Sequence, residues 1–443
     1  MRRVVAVLAV AVAIAVSAVP FTRAAAETPR SLQHIVIMTQ GGRTFDNYFG
    51  TTPGVDGLVA RTPCQLGATP DQLGCIRPHR ITTPPQSSLR TGPDSQQIAV
   101  NGGRMDGFVR AQAHQGSDGT AGMGYYTPAA LPLLHELTGR GVLFDHWFSG
   151  VPGGTVTNDV FAITARPPGR VASIPRGGWP DTPVIFDRLT AAGISWRVYV
   201  QNYEPALNIR TAATKQRLGG QVARVPLLAL PRYLDDPTLS SHVVDLSSYY
   251  RDLDADKLPQ VSYVISTAAT EQIPRDPAKG HLLMRSILNG LLASSAWPSS
   301  ALLLQWDSAG GWYDHVPPPV IDGAPTGLRV PAVLISPFVR PGTVNHERFD
   351  AASGLKLIES TFGLAPLAAR DRDAANPRGV MSFALPPVLP TLVGVSSDQP
   401  VKQPKRSTLL IGYGTALVLA VSAGVLALLL SGRGRHKPKE ATS

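Results

Sequence analysis

Six short, mostly apolar runs set the strongest limit on what this chain can fold into. They are HIVIMT (34–39), GVLFDHWF (141–148), SWRVYV (195–200), QVSYVIS (260–266), ALLLQWD (301–307) and VPAVLIS (330–336). A strand with one wet face alternates apolar and polar side chains. A strand covered on both faces need not, and most of these runs do not alternate. Between them lie helix-like stretches: TPAALPLLHELTGR (127–140), PVIFDRLTAAG (183–193), HLLMRSILNGLLAS (281–294) and ASGLKLIESTFG (352–363). That order predicts an α/β fold, a mostly parallel sheet with helices on both sides. Residues 201–255 fit the alternation least and read as an excursion from the sheet. No internal repeat is visible.

In such folds ligands gather beyond the carboxyl ends of the strands. Here those ends carry QGGRTFDNYFG, SGVPGGTVTND, TAATEQIP, DSAGGWYDHVPPP and PFVRPGTV. In the second loop, Thr155 is predicted near a helix N-terminus, where free amides and the helix dipole attract anions. A hydroxyl there can attack phosphorus, or Thr155 can simply cap the helix. Asp307, Asp314 and His315 surround a Gly-Gly turn. Carboxylate and imidazole suit a divalent metal; equally, Asp307 can cap a turn while His315 packs under the prolines. Arg43 and Thr44 are candidates for gripping a phosphate, and the alternative for Arg43 is a pair with Asp46 across a turn.

The formal net charge of +10 invites a nucleic-acid reading until the charges are located. Ten of the 41 basic residues lie before 27 or beyond 400, against one of the 31 acidic residues, so the body is close to neutral. The chain is read as not binding nucleic acid. Its ends read as membrane signals instead. Arg2 and Arg3 precede an apolar run from Val4 to Val19 and a small-residue site at Ala24-Ala25-Ala26. That is the layout of a signal peptide (1–26), with an uncleaved anchor as the alternative. Residues 408–431 carry no charge and are long enough to span a bilayer of about 30 Å. Lys and Arg are denser after this segment than before it. The expected topology is therefore an extracytoplasmic body (27–395), a polar tether (396–407), one transmembrane helix (408–431) and a cytoplasmic tail (432–443). In an exported body, Cys64 and Cys75 are expected to form a disulfide across a surface loop.

Taken together, RTFDNYFGTTPGVDG (43–57), MDGFV (105–109), MGYYTPAALPLLHEL (123–137), FDHWFSGVPGGTVTN (144–158), GGWYDHVPPP (310–319), RVPAVLISPFVRPGTVNH (329–346) and ARDRDAA (369–375) resemble the bacterial phosphoesterase family of non-specific phospholipases C and a related acid phosphatase. The resemblance spans about His34 to Asp373. It implies an alkaline-phosphatase-like α/β/α sandwich and a hydrolase acting on phosphate esters such as phospholipids. In that family a Thr or Ser at the position of Thr155 is the nucleophile, histidines assist, and a divalent metal is held by a Glu-Asn pair and an Asp-Glu pair. Carried onto this chain, the resemblance implies catalytic roles for Thr155, Asn158 and His315, phosphate contacts from Arg43 and Thr44, and metal contacts from Asp307 and Asp314.

The chain departs from the family pattern at several of these positions. The Glu-Asn pair falls on Gly41 and Gly42, and the Asp-Glu pair on Asp307 and Ser308. An Arg of the nucleophile loop falls on Asp159, a His-Pro-Pro segment near Gln272-Ile273-Pro274, and a His on Ala351. Glycine offers no side-chain ligand, and a serine is a weak substitute for a carboxylate. The expectation is a membrane-anchored, phospholipase C-like hydrolase with a depleted metal site, for which Asp46, Asp307, Asp314 and His315 are the candidates for a rearranged set. The alternative is an inactive relative kept as a surface binding module.

Overall fold

The apolar runs pair into one eight-stranded sheet. The computed structural model describes residues 31–394 apart from 59–63, 66, 68–73, 84–87, 115–116, 170–172, 215–219, 268–276 and 385–390. The strands are β1 (His34–Gln40), β2 (Val142–Phe144), β3 (Trp196–Val200), β4 (Val243–Asp245), β5 (Val261–Ile265), β6 (Ser300–Trp306), β7 (Ala332–Ile335) and β8 (Thr343–Asn345). Their spatial order is β8-β2-β7-β6-β1-β5-β3-β4. The pairs are parallel except those of β7, which runs against both β2 and β6. The chain therefore enters β7 at the same edge where it leaves the other seven strands, and that edge collects the polar loops.

The unbroken apolar character of the strands follows from cover on both faces. All seven residues of β6 are buried. On one face, Trp306 meets the ring of Tyr48 from α1 (Phe45–Phe49), and Tyr48 in turn meets His281 of α4 (Pro277–Leu292). On the other face, Leu303 lies against Gly354 of α5 (Ala351–Phe362), where an added Cβ would sit 3.6 Å from Leu303 Cδ2. α5 also packs against α2 (Thr155–Thr164). α3 (Gly220–Arg224) packs against α2 near the carboxyl edge.

Two expectations change in detail. GVLFDHWF is not one strand: β2 stops at Phe144, and Trp147–Phe148 pairs separately with Phe349–Asp350. The break falls at Asp145, a fully buried carboxylate whose partners lie outside the sheet. The segment 201–255 is an excursion only in part, because Val243–Asp245 returns as the edge strand β4. Cys64 and Cys75 are joined as a disulfide. The leader, tether, apolar segment and tail lie outside the described residues. Among the described residues no helix is long and apolar enough to cross a membrane.

Leu303 is fully buried at the centre of this packing. Leu303→Ala should lower the unfolding free energy by about 3 kcal/mol, read as a lower urea midpoint with an unchanged slope.

Candidate active site

β1 and β6 are adjacent, in register, and end together at Gln40 and Trp306. The next residues, Gly41 and Asp307, are thereby brought face to face. The Asp307 amide donates to the Gln40 carbonyl at 2.8 Å, and a Cβ on Gly41 would stand 2.8 Å from Asp307 Oδ2. Thr155 is the first residue of α2, after Gly154 in extended conformation. Its hydroxyl donates to Asp307 Oδ1 across 3.3 Å. The loop before it is held from inside the helix: Asn158 Oδ1 accepts from the Val151 amide at 3.0 Å, and Asn158 Nδ2 donates to the carbonyls of Val151 and Gly154 at 3.2 and 3.1 Å. A Thr hydroxyl at a helix N-terminus with a carboxylate as its acceptor is the geometry of an activated nucleophile beside an anion site.

A buried cation completes this centre. Arg224, the last residue of α3, donates through Nη1 to Asp307 Oδ2 and through Nη2 to the Thr39 carbonyl at 3.0 Å. The same Nη1 lies 3.5 Å from Asp159 Oδ2. Arg224 Nε has no hydrogen-bond partner among the described residues. Asp307 Oδ1 also accepts from the Ser308 hydroxyl. Burial drives the Asp159 carboxyl well above its ordinary range; Arg224 pulls it back and Asp307 pushes it further up. Burial works against the charge on Arg224, yet Asp159 and Asp307 hold its pKa above the ordinary value.

A second acidic cluster surrounds Arg329, which precedes β7. Arg329 has no exposed side chain. It donates to Asp46 Oδ1 at 2.8 Å, to Asp314 Oδ1 at 3.0 Å, and to the carbonyls of Asp56 and Asp145 at 2.7 and 2.9 Å. Its guanidinium also lies 4.6 Å over the Phe45 ring. His315 pairs with Asp46 Oδ2 at 2.7 Å and with Asp56 at 3.2 Å. Burial lowers the His315 pKa, but the hydrogen bond and charge of Asp46, helped by Asp314, raise it to about 9. Burial raises Asp314 to about 7, against the pull of Arg329. Toward the rim, buried Asp145 accepts from His146 and His346 at 3.1 and 2.8 Å, and His146 reaches Asp56 at 3.1 Å.

The sequence candidates thus fall into two groups. Asp46, Asp314 and His315 offer ligand atoms within 4.8 Å of one another, and Asp307 is outside that group. The expected four-residue metal set is divided between the two clusters, and in each cluster carboxylates are engaged by an arginine. Arg43 and Thr44 are engaged elsewhere. Arg43 is buried between Tyr48 and Trp312, its guanidinium 5.0 and 4.9 Å from their rings, and donates to Asn47. Thr44 caps α1 and donates to the Tyr313 carbonyl at 2.6 Å. Asp46 pairs with Arg329 rather than with Arg43. Asn158 positions the Thr155 loop. The His-Pro-Pro equivalent near Gln272 lies outside the described residues. Sequence reasoning missed Arg224, Asp56, Asp145, His146 and His346 and gave Arg329 no role. The one signal for Arg224 was Asp159: a carboxylate where the resemblance expects an arginine calls for a cation from another segment.

Comparison with known proteins supplies the wider context. The model of the phosphoesterase family matches residues 32–365. Phospholipase C A of Mycobacterium tuberculosis is 29% identical, over 80% of this chain and 78% of its own. The non-hemolytic phospholipase C of Pseudomonas aeruginosa is 28% identical, over 76% of this chain and 54% of its own. Non-specific phospholipase C3 of Arabidopsis thaliana is 26% identical, over 71% and 65%. Among solved structures, an alkaline phosphatase superfamily protein from Vibrio parahaemolyticus matches 79% of this chain and 72% of its own, at 14% identity and a TM-score of 0.36.

The His315 pair has a pH signature. Its folded pKa of about 9 lies above the ordinary 6.5, so the stability it contributes is complete below 6.5 and lost as pH rises through 9. The wild-type chain should lose about 1–2 kcal/mol over that window that His315→Gln does not lose, after allowance for screening at the partly exposed ring. Denaturant titrations of both proteins at pH 6 and pH 9.5 measure the difference.

Proposed function

The chain belongs to the phosphoesterase family, and from that premise we propose that it is a phospholipase C-like hydrolase of phosphate esters with Thr155 as its nucleophile. The observation that carries this reading is the Thr155 hydroxyl, set at the start of α2 and donating to Asp307 at the end of a central strand. The Thr155 oxygen attacks phosphorus while Asp307 takes its proton. The bond from phosphorus to the alcohol oxygen breaks, and the alcohol recovers the proton from Asp307. Water then cleaves the phosphothreonine. The amides of the first turn of α2 face the phosphoryl oxygens, as the free amides of a helix start do.

The metal set is depleted in this reading: Gly41 and Gly42 bring no ligand, and Ser308 stands where a second carboxylate would. We place the body outside the cytoplasm, tethered through 396–407 to a membrane helix at 408–431. A phospholipid headgroup is then within reach, and the Cys64–Cys75 disulfide suits an oxidising compartment.

Turnover is measured as alcohol release from phosphatidylcholine vesicles and from an aryl phosphodiester. Thr155→Ala should lower kcat by about 10³-fold or more with folding intact, and Thr155→Ser should keep part of it. Asn158→Ala should lower kcat about 10-fold with little change in KM, because it loosens the loop that aims Thr155. A wild-type chain that turns over neither substrate would leave the alternative, a binding module on the same frame.

A further inference from the structure

We propose that the Thr155 centre carries its cation within the chain: the guanidinium of Arg224 holds the place beside Asp307 that a divalent metal would need. This rests on the reading of Thr155 as the reactive hydroxyl and adds to it that the centre works without a divalent ion.

The donor set argues first. Among the described residues the acidic side chain hydrogen-bonded to Thr155 is Asp307, and both its oxygens are taken. Oδ1 accepts from Thr155 and Ser308, and Oδ2 accepts from Arg224. A divalent ion bound here would have to displace a buried guanidinium shared by Asp307 and Asp159, and the family's own ligand positions, Gly41, Gly42 and Ser308, would add no carboxylate to those two.

The space argues second. A Cβ on Gly41 would lie 2.8 Å from Asp307 Oδ2 and 3.0 Å from Arg224 Nη1. A side chain at the position after β1 would therefore crowd the ends of both the Asp307 and Arg224 side chains where they now meet. Gly41 and Arg224 are fitted to each other.

The charges argue third. Asp159 lies four residues after Thr155, on the same face of α2. It stands within 3.5 Å of Arg224, both side chains being more than nine-tenths buried. A buried arginine requires buried counter-charge. Asp159 and Asp307 together supply it, with Asp159 at the position where the family resemblance expects an arginine. Arg224 Nε is buried and without a hydrogen-bond partner among the described residues.

The test uses the full-length chain in mild detergent, freed of metal with a chelator and titrated with Zn²⁺, Mn²⁺ and Ca²⁺. The expected result is no tightly held ion at this centre and a melting temperature moved by less than about 1 °C. One ion per chain that survives dialysis and is lost in Asp307→Asn would overturn the proposal; an ion that Asp307→Asn leaves in place upholds it. Arg224→Gln should lower the melting temperature by about 10 °C, because it strands two buried carboxylates, and Arg224→Lys should recover part of the loss. An unchanged melting temperature in Arg224→Gln also overturns it. If Arg224→Gln does not fold, the wild-type metal titration decides. Turnover that persists in chelator supports both readings. Turnover that stops in chelator and returns with metal overturns the role of Arg224 and keeps that of Thr155. Absent turnover with absent metal binding overturns the role of Thr155 and keeps that of Arg224.

Discussion

Carboxylates buried at one edge of a sheet must be neutralised there, and most of the local architecture answers to that constraint. Removing an ion from water costs several kcal/mol even after relaxation, and one opposite charge with well-aimed hydrogen bonds offsets most of it. Asp46, Asp145, Asp307 and Asp314 are all buried at the carboxyl edge. Arg329 answers two of them and ties α1 to the loop after β6, while its remaining donors bind the carbonyls of Asp56 and Asp145. It reaches that position because β7 is antiparallel: the residue three places before the strand arrives where the neighbouring strands end. In an all-parallel sheet that residue would lie at the opposite edge.

The central fold was legible because burial on both faces leaves a mark at every position of a strand. β3, β5 and β7 lie within the apolar runs read from the sequence, β1 and β6 match theirs to within one residue at each end, and a helix overlaps each of the four expected stretches, at Pro132–Thr138, Ile185–Ala191, Pro277–Leu292 and Ala351–Phe362. The strands of this sheet that were missed are β4 and β8, three residues each at its two edges. An edge strand buries less and pairs on one side, so its composition is ordinary. GVLFDHWF was misread for a different reason. Its period fits a strand throughout, but the chain leaves the sheet at Asp145, whose carboxylate is held by His346 and the Asp56 amide from distant positions. No local pattern records such a partnership.

The candidate site was legible in its backbone-determined parts and obscure in its charge pairing. Thr155 and Asp307 follow from loop and strand positions, which sequence order nearly dictates. Arg224 comes from residues 201–255, where the elements are short, and it joins residues 83 positions away. Arg43 shows the reverse error. Its place after two glycines suggested a ligand contact, whereas three aromatic rings and a carboxamide hold it in the interior. An arginine beside Phe, Tyr and Trp in a preserved block is as easily packed as catalytic.

Replacing a metal with a guanidinium changes which part of the chemistry is easy. A donor aimed at a developing oxyanion is worth about 3 kcal/mol; Arg224, whose Nη1 and Nη2 serve Asp307 and the Thr39 carbonyl, acts on a phosphoryl group chiefly as a nearby positive charge. It does not coordinate the nucleophile's oxygen as a Lewis acid does, so its help to a developing alkoxide is limited to charge attraction through space. With Thr155 as the nucleophile, its proton goes to its hydrogen-bond acceptor Asp307, the same carboxylate that Arg224 holds. Asp159 stands 3.5 Å from the same guanidinium nitrogen. The rate of a centre built this way is governed by how Arg224 divides itself between two carboxylates. Substrates with good leaving groups ask little of the acid that returns the proton, and so depend least on Asp307 at that step.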